Sequence, residues 1–229
     1  MRLPACVLWL TAVAAPAQAG DILLLAGTSD SSLGSYSYVG ASIPLGRSNL
    51  GQGWVFRQWL DRLTYHYTGF APNIQAHAWG VAPAFGYQWQ VNNSSHAALY
   101  AGMRLENTHL SPNDPSNVDR GTHARFTLQG ELTSTVGAAA QNQFLAQGEF
   151  GNGAYYVRDR LAWRLDGHYT LGPEVTAQGS YKYRVHEAGL CFGGIALTRR
   201  ASLLVRAGVY QQLDHPTGGT AGVELSASF

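Results

Sequence analysis

Residues 124 to 133 read Ala-Arg-Phe-Thr-Leu-Gln-Gly-Glu-Leu-Thr, and polar and apolar side chains change places at nearly every step. Arg125, Thr127, Gln129, Glu131 and Thr133 share one parity; Phe126, Leu128, Gly130 and Leu132 share the other. Successive side chains of a strand point to opposite faces, so this segment reads as a sheet with one wet and one greasy surface. The pattern recurs down the chain and ends on Val223, Leu225, Ala227 and Phe229, with Glu224, Ser226 and Ser228 between them. No long amphipathic helix competes with it. Which face points inward decides what the molecule is.

Strands are expected at about 22–29, 35–45, 53–67, 75–91, 95–109, 122–136, 142–150, 154–166, 173–185, 188–198, 201–213 and 220–229. Merging the pair around Gly151-Asn152-Gly153 or losing an edge strand would lower the number from twelve to ten or eleven. Asn92-Asn93-Ser94, Gly151-Asn152-Gly153 and Thr198-Arg199-Arg200 are tight and rich in turn formers, whereas 46–52, 110–121 and 214–219 are longer. Outer-membrane barrels join their strands by short turns at one end and longer loops at the other, and the agreement here is partial.

The N-terminus reads as a secretory signal over residues 1–19: Met1-Arg2, an apolar run from Cys6 to Ala15, then Ala17-Gln18-Ala19 before the break. The run is too short to cross a bilayer as a helix. Residues 20–229 then form one domain, in which Cys191 is the sole cysteine and a disulfide scaffold is excluded. Charged residues make up 13% of the chain, against about 25% in an average soluble domain. The net charge of +1 gives no reason to expect nucleic acid.

In a soluble barrel the greasy face is buried; in a membrane barrel it meets lipid and the polar face lines the lumen. Aromatic residues in the strands, including Tyr100, Tyr155, Tyr156, Trp163, Tyr169, Tyr181, Tyr183 and Tyr210, fit interfacial girdles, and the last strand finishes on Phe229. With the signal peptide, these features favour an all-β, antiparallel up-and-down outer-membrane-type β-barrel of about twelve strands (ten to twelve) in a Gram-negative outer membrane. The polar register then supplies lumen charges: Arg104, Glu106, Arg125, Glu131, Arg158, Arg160, Arg164, Glu174, Lys182, Arg184, Arg206 and Glu224. Paired, they brace a narrow barrel; unpaired, they favour polar or anionic solutes.

Several ordered segments resemble the BcsS family, accessory proteins of bacterial cellulose synthesis. They are Gly53-Trp54-Val55-Phe56-Arg57 leading to Tyr65-His66-Tyr67, Ala84-Phe85-Gly86-Tyr87-Gln88, Tyr100-Ala101-Gly102 and Leu110-Ser111-Pro112-Asn113-Asp114-Pro115 with Gly121-Thr122. Gly172-Pro173-Glu174 and the stretch from Lys182 to Gly189 complete the order. The resemblance implies an outer-membrane barrel serving cellulose production or export, and carries no catalytic motif. Gln58 to Leu63 departs from the family's Gly-rich stretch and mixes charged and apolar residues on both faces.

Chemistry finds little footing. Ser111 near His109, or His186 beside Glu187, would be the starting point for a hydrolase, but no Gly-x-Ser-x-Gly elbow occurs. The histidines are scattered without metal-ligand spacing, and Pro112 to Asn117 reads as a turn rather than a calcium loop. No cofactor is expected. Trp54, Trp59, Tyr65 and Tyr67 are candidates for carbohydrate contact, set against a plain interfacial role. The expected partners are outer-membrane lipid and cellulose or other cellulose-synthesis components. The reading is a non-enzymatic barrel supporting cellulose production, with a general porin or structural barrel as the alternative and an outer-membrane hydrolase behind both.

Overall fold

The computed structural model describes residues 22–68, 71, 73–166, 168–181, 183–212 and 217–229; the expected signal peptide and Lys182 lie outside them. Twelve strands follow one another: β1 Leu23–Ser31, β2 Gly34–Pro44, β3 Gly53–Tyr67, β4 Ile74–Asn92, β5 Ser95–Ser111, β6 Gly121–Val136, β7 Ala140–Phe150, β8 Tyr155–Leu165, β9 Tyr169–Gly179, β10 Arg184–Ala196, β11 Ala201–Gln212 and β12 Gly218–Ser228. Each pairs antiparallel with its sequence neighbours, and β1 pairs with β12 to close a barrel. Ile22 and Phe229 exchange backbone hydrogen bonds of 2.8 and 3.0 Å beyond the last ladder pair. No helix among the described residues is long and apolar enough to cross a membrane, which does not bear on a barrel.

The wall is uneven in height. β4 has 19 residues and β5 17, whereas β1 has 9. At a rise of roughly 3.4 Å per residue, β4 runs about 60 Å and β1 about 30 Å along the strand. The end bearing residues 22 and 229 is called the terminal end, and the opposite one the far end.

Burial follows the alternation. Along β4, Ile74, Ala76 and Ala78 are buried inward while Trp79 and Phe85 are exposed outward. Outward aromatics gather towards the terminal end, where Trp54 meets Tyr87 at 5.3 Å, Phe56 meets Phe85 at 5.1 Å and Tyr169 meets Phe192 at 5.5 Å. Nearer the far end, Arg62 lies 5.3 Å over Trp79 and Phe126 meets Phe150 at 5.5 Å. Beyond Trp79 the outward register of β3 to β5 turns polar, with His66, Gln75, His77, Asn107 and His109.

Three expectations need correction. The expected strand 173–185 is broken by a turn: Ser180 N–H bonds the Tyr183 carbonyl at 2.9 Å, and β10 begins at Arg184. The turn resets the parity, so Arg184 pairs with Gly179 on the outward register instead of continuing the polar row from Glu174. The long connection 45–52 also falls at the terminal end beside the two-residue turn 93–94, so long and short connections do not separate cleanly by end. Tyr100, Tyr156 and Tyr210, expected in a girdle, take the inward register.

Candidate functional site

The site is the lumen, and it is built from two charge clusters. The first is centred on Arg104 of β5. Its guanidinium grips Asp61 of β3 with two bonds of 2.8 and 2.6 Å, and it also donates to Glu106 at 2.9 Å. Glu149 of β7 lies 3.5 Å from Arg104 Nε. Glu106 then meets Arg125 at 3.2 Å, and Arg125 meets Asp119 at the same distance. The Asp61 side chain is 1% exposed, so this is a buried fork-to-fork pair.

Both ends of this half are stoppered. At the far end the loop 112–120 folds inward, where Tyr67 donates to Asp114 at 2.9 Å and Asn117 donates to Tyr67 at 2.8 Å. Beneath it, buried Ile74, Ala76 and Leu110 pack with Tyr65, Tyr67 and Ala71. Ser116 donates both its hydroxyl and its backbone N–H to Asp114, which holds the Asp114 carboxyl below the usual carboxylate range. At the terminal end, Gly51 N–H in the 45–52 connection donates to Gln88, and Gln88 donates to Tyr100 at 2.6 Å. Gly51 has a positive φ of 91°, a backbone state that favours glycine. Above these groups Arg57 bonds Glu131 at 2.6 Å and lies 4.0 Å over the Tyr100 ring.

The second cluster surrounds Glu174 and Glu224. Glu174 of β9 accepts from Arg160 at 2.6 Å and from Arg206 at 3.0 Å. Glu224 of β12 accepts from Tyr38 of β2 at 2.8 Å, with Arg158 and Arg160 of β8 at 3.5 and 3.6 Å. Glu224 thereby links strands on both sides of the lumen. A void of about 20 Å³ lies among Glu174, Thr176, Glu187 and Arg206, room for one water. Cys191 faces inward beside this cluster and is 1% exposed, with its thiol on the Gly172 carbonyl.

Of the charges singled out from sequence, Arg104, Glu106, Arg125, Glu131, Arg158, Arg160, Glu174, Arg206 and Glu224 lie in these clusters. Arg164 takes the inward register but lies exposed towards the terminal end. Arg57, Asp61 and Glu149 were not singled out as lumen charges, and Glu187 was considered only beside His186 for hydrolysis. Arg57 and Asp61 stand four apart, so they share a strand face, and that spacing was the available signal. The four aromatics separate: Trp54 points outward and is 59% exposed, whereas Trp59, Tyr65 and Tyr67 point into the lumen. His186 and Glu187 fall on opposite faces of β10, and no hydrogen bond joins Ser111 to His109 among the described residues. No group of three or more potential metal ligands converges among the described residues.

Comparison with solved structures returns outer-membrane barrels. The KdgM porin aligns with a TM-score of 0.54 at 12% identity, covering 90% of this chain and 99% of its own. A KdgM porin in complex with disordered oligogalacturonate gives 0.55. The COG4313 outer membrane channel from Pseudomonas putida F1 gives 0.59 at 8% identity, covering 93% and 97%. At these identities the likeness shows the fold, and the outer-membrane-type barrel supports an outer-membrane location. No curated protein sequence matches the chain. The sequence profile described as cellulose biosynthesis protein BcsS matches residues 23–229. The whole barrel, from its first strand to Phe229, therefore belongs to the BcsS family of cellulose biosynthesis proteins.

Proposed function

We propose that the chain is a non-catalytic outer-membrane barrel that supports the making or export of cellulose, acting beside the other components of cellulose synthesis. The observation that carries this reading is family membership over the full barrel. The lumen agrees with it: the central arginines are committed to carboxylates, and the residues considered for hydrolysis do not converge. In this reading residues 1–19 are a cleaved export signal, the two aromatic belts mark the lipid interfaces, and the terminal end faces the periplasm. The tall rim of β3 to β5, polar on its outward face, then stands in water outside the cell.

The test is deletion in a cellulose-making host, followed by measurement of cellulose at the cell surface. Loss or altered distribution is expected, with recovery on return of the gene; unchanged cellulose would overturn the role. The porin likeness favours a second reading, a general diffusion channel. Steady conductance in planar bilayers would support that alternative, whereas the braced lumen predicts none.

A further inference from the structure

The inner wall of β1 to β3 carries a strip of rings whose hydroxyls reach the two charge clusters, Tyr36 beside Arg104 and Asp61 and Tyr38 on Glu224. Tyr36 and Tyr38 of β2 lie 5.9 Å apart, and Tyr38 meets Trp59 of β3 at 5.7 Å. All three take the inward register, and the two larger contacts rest on glycine. A Cβ on Gly27 would come within 2.7 Å of the Tyr38 ring, and one on Gly40 within 1.9 Å of the Trp59 ring. Absence of those side chains lets the rings lie back against the wall instead of filling the lumen. Arg57 closes the strip at its lower end, 5.1 Å over Trp59.

The upper end is open. Tyr36 is 37% exposed although it points inward. It stands two residues from the start of β2, at the short β1–β2 hairpin that ends the shortest strand of the barrel. The neighbouring polar groups are the Arg104–Asp61 pair beside Tyr36 and Glu224, its side chain 23% exposed, with the Tyr38 hydroxyl bonded to it. The arginines facing mid-lumen are all held by carboxylates, so no free cationic track runs beside the rings.

We propose that this strip is a binding site for a neutral, extended β-glucan segment, entered from the far end over the β1–β2 hairpin, stacked on Tyr36 and Tyr38 and bordered by Trp59. Tyr36 and Tyr38, inclined by 33°, offer two ring faces to successive pyranoses; Trp59 stands edge-on to Tyr38 at 81° and borders the strip, and Glu224 accepts from the sugar hydroxyls. The neutralised arginines disfavour a polyanionic sugar. The choice of glucan rests on the cellulose-linked reading above; the geometry of the strip does not.

The experiment uses the full chain in detergent micelles, with cellohexaose and a hexamer of uronic acid as probes, followed by calorimetry and tryptophan emission. Cellohexaose is expected to bind, the uronate about tenfold more weakly or not at all, and Tyr36→Leu to weaken cellohexaose by about tenfold. Tyr36→Phe keeps the ring face and is expected to bind like the parent. Folding of each variant is checked by heat-modifiable gel mobility. Absence of cellohexaose binding by the parent chain overturns the proposal without reference to any variant. So does equal or tighter binding of the uronate, or undiminished binding by folded Tyr36→Leu. A cellulose defect on deletion without sugar binding sinks this proposal alone, while binding with unchanged cellulose sinks the cellular role alone.

Discussion

The half of the lumen walled by β3 to β7 and the half walled by β8 to β12 with β1 and β2 solve the same problem differently. Both must hold buried charge inside a sheet that bonds only its own backbone. In the first, Arg104 collects Asp61, Glu106 and Glu149 from strands near its own, and loops 45–52 and 112–120 close the ends. In the second, the strands are shorter and Glu224 reaches Tyr38 on one side and Arg158 on the other, tying distant wall segments together. A tall wall supports itself locally; a short one is braced across the gap.

The contrast breaks most severely at Arg104. Arg104→Met leaves Asp61, 1% exposed, and Glu149 without their cation, while Glu106 keeps Arg125. Removing one partner of a buried pair costs about 3–5 kcal/mol, so the folded band in heat-modifiable electrophoresis should melt at much lower temperature. Glu224→Gln keeps the shape and one acceptor while removing the charge facing Arg158 and Arg160. Its bonds are longer and partly wet, so a loss of about 1.5–3 kcal/mol is expected in denaturant unfolding. A cost as large as that of Arg104→Met would erase the distinction between the halves.

The smallest effect falls on the far-end loop. Asp114 has its carboxyl held below the ordinary range by Ser116 and Tyr67, so its contribution is present above the unfolded value and lost as pH falls through the lower folded one. Acidification below about pH 4 should speed proteolytic nicking within 112–120 while the barrel band persists. Asp114→Asn should be nicked faster than the parent at neutral pH and respond less to acid. Equal nicking of both at neutral pH would show that the loop is held by Leu110 and Ile74 alone.

Most of the wall was legible in the sequence because period-two alternation survives in β6, β8 and β12, whose Arg125, Arg158 and Glu224 all take the inward register. The alternation failed where the inward face is itself mixed. In β3, inward Trp59 and Leu63 lie between and beyond Arg57 and Asp61, while outward Gln58 and Arg62 look polar, so neither face reads as greasy. The outward position of Arg62 is explained by its seat on Trp79, a contact between strands that no single-strand pattern contains. Glu149 and Glu187 were missed for a related reason: their partners come from other strands. The turn at 180–183 was hidden because Ser180 and Tyr183 continue an alternating row, which is how Arg184 came to be assigned inward.

The ladder joining Leu23 to Ser228 makes every strand of the barrel a neighbour of two others. No strand can therefore fray from a free margin, and releasing any one of them requires breaking two ladders together. Amide hydrogens across the wall should consequently be protected as one cooperative block instead of in a gradient from one strand to the next. Assembly runs under the same constraint in reverse: the first strand has only half its partners until the last has arrived.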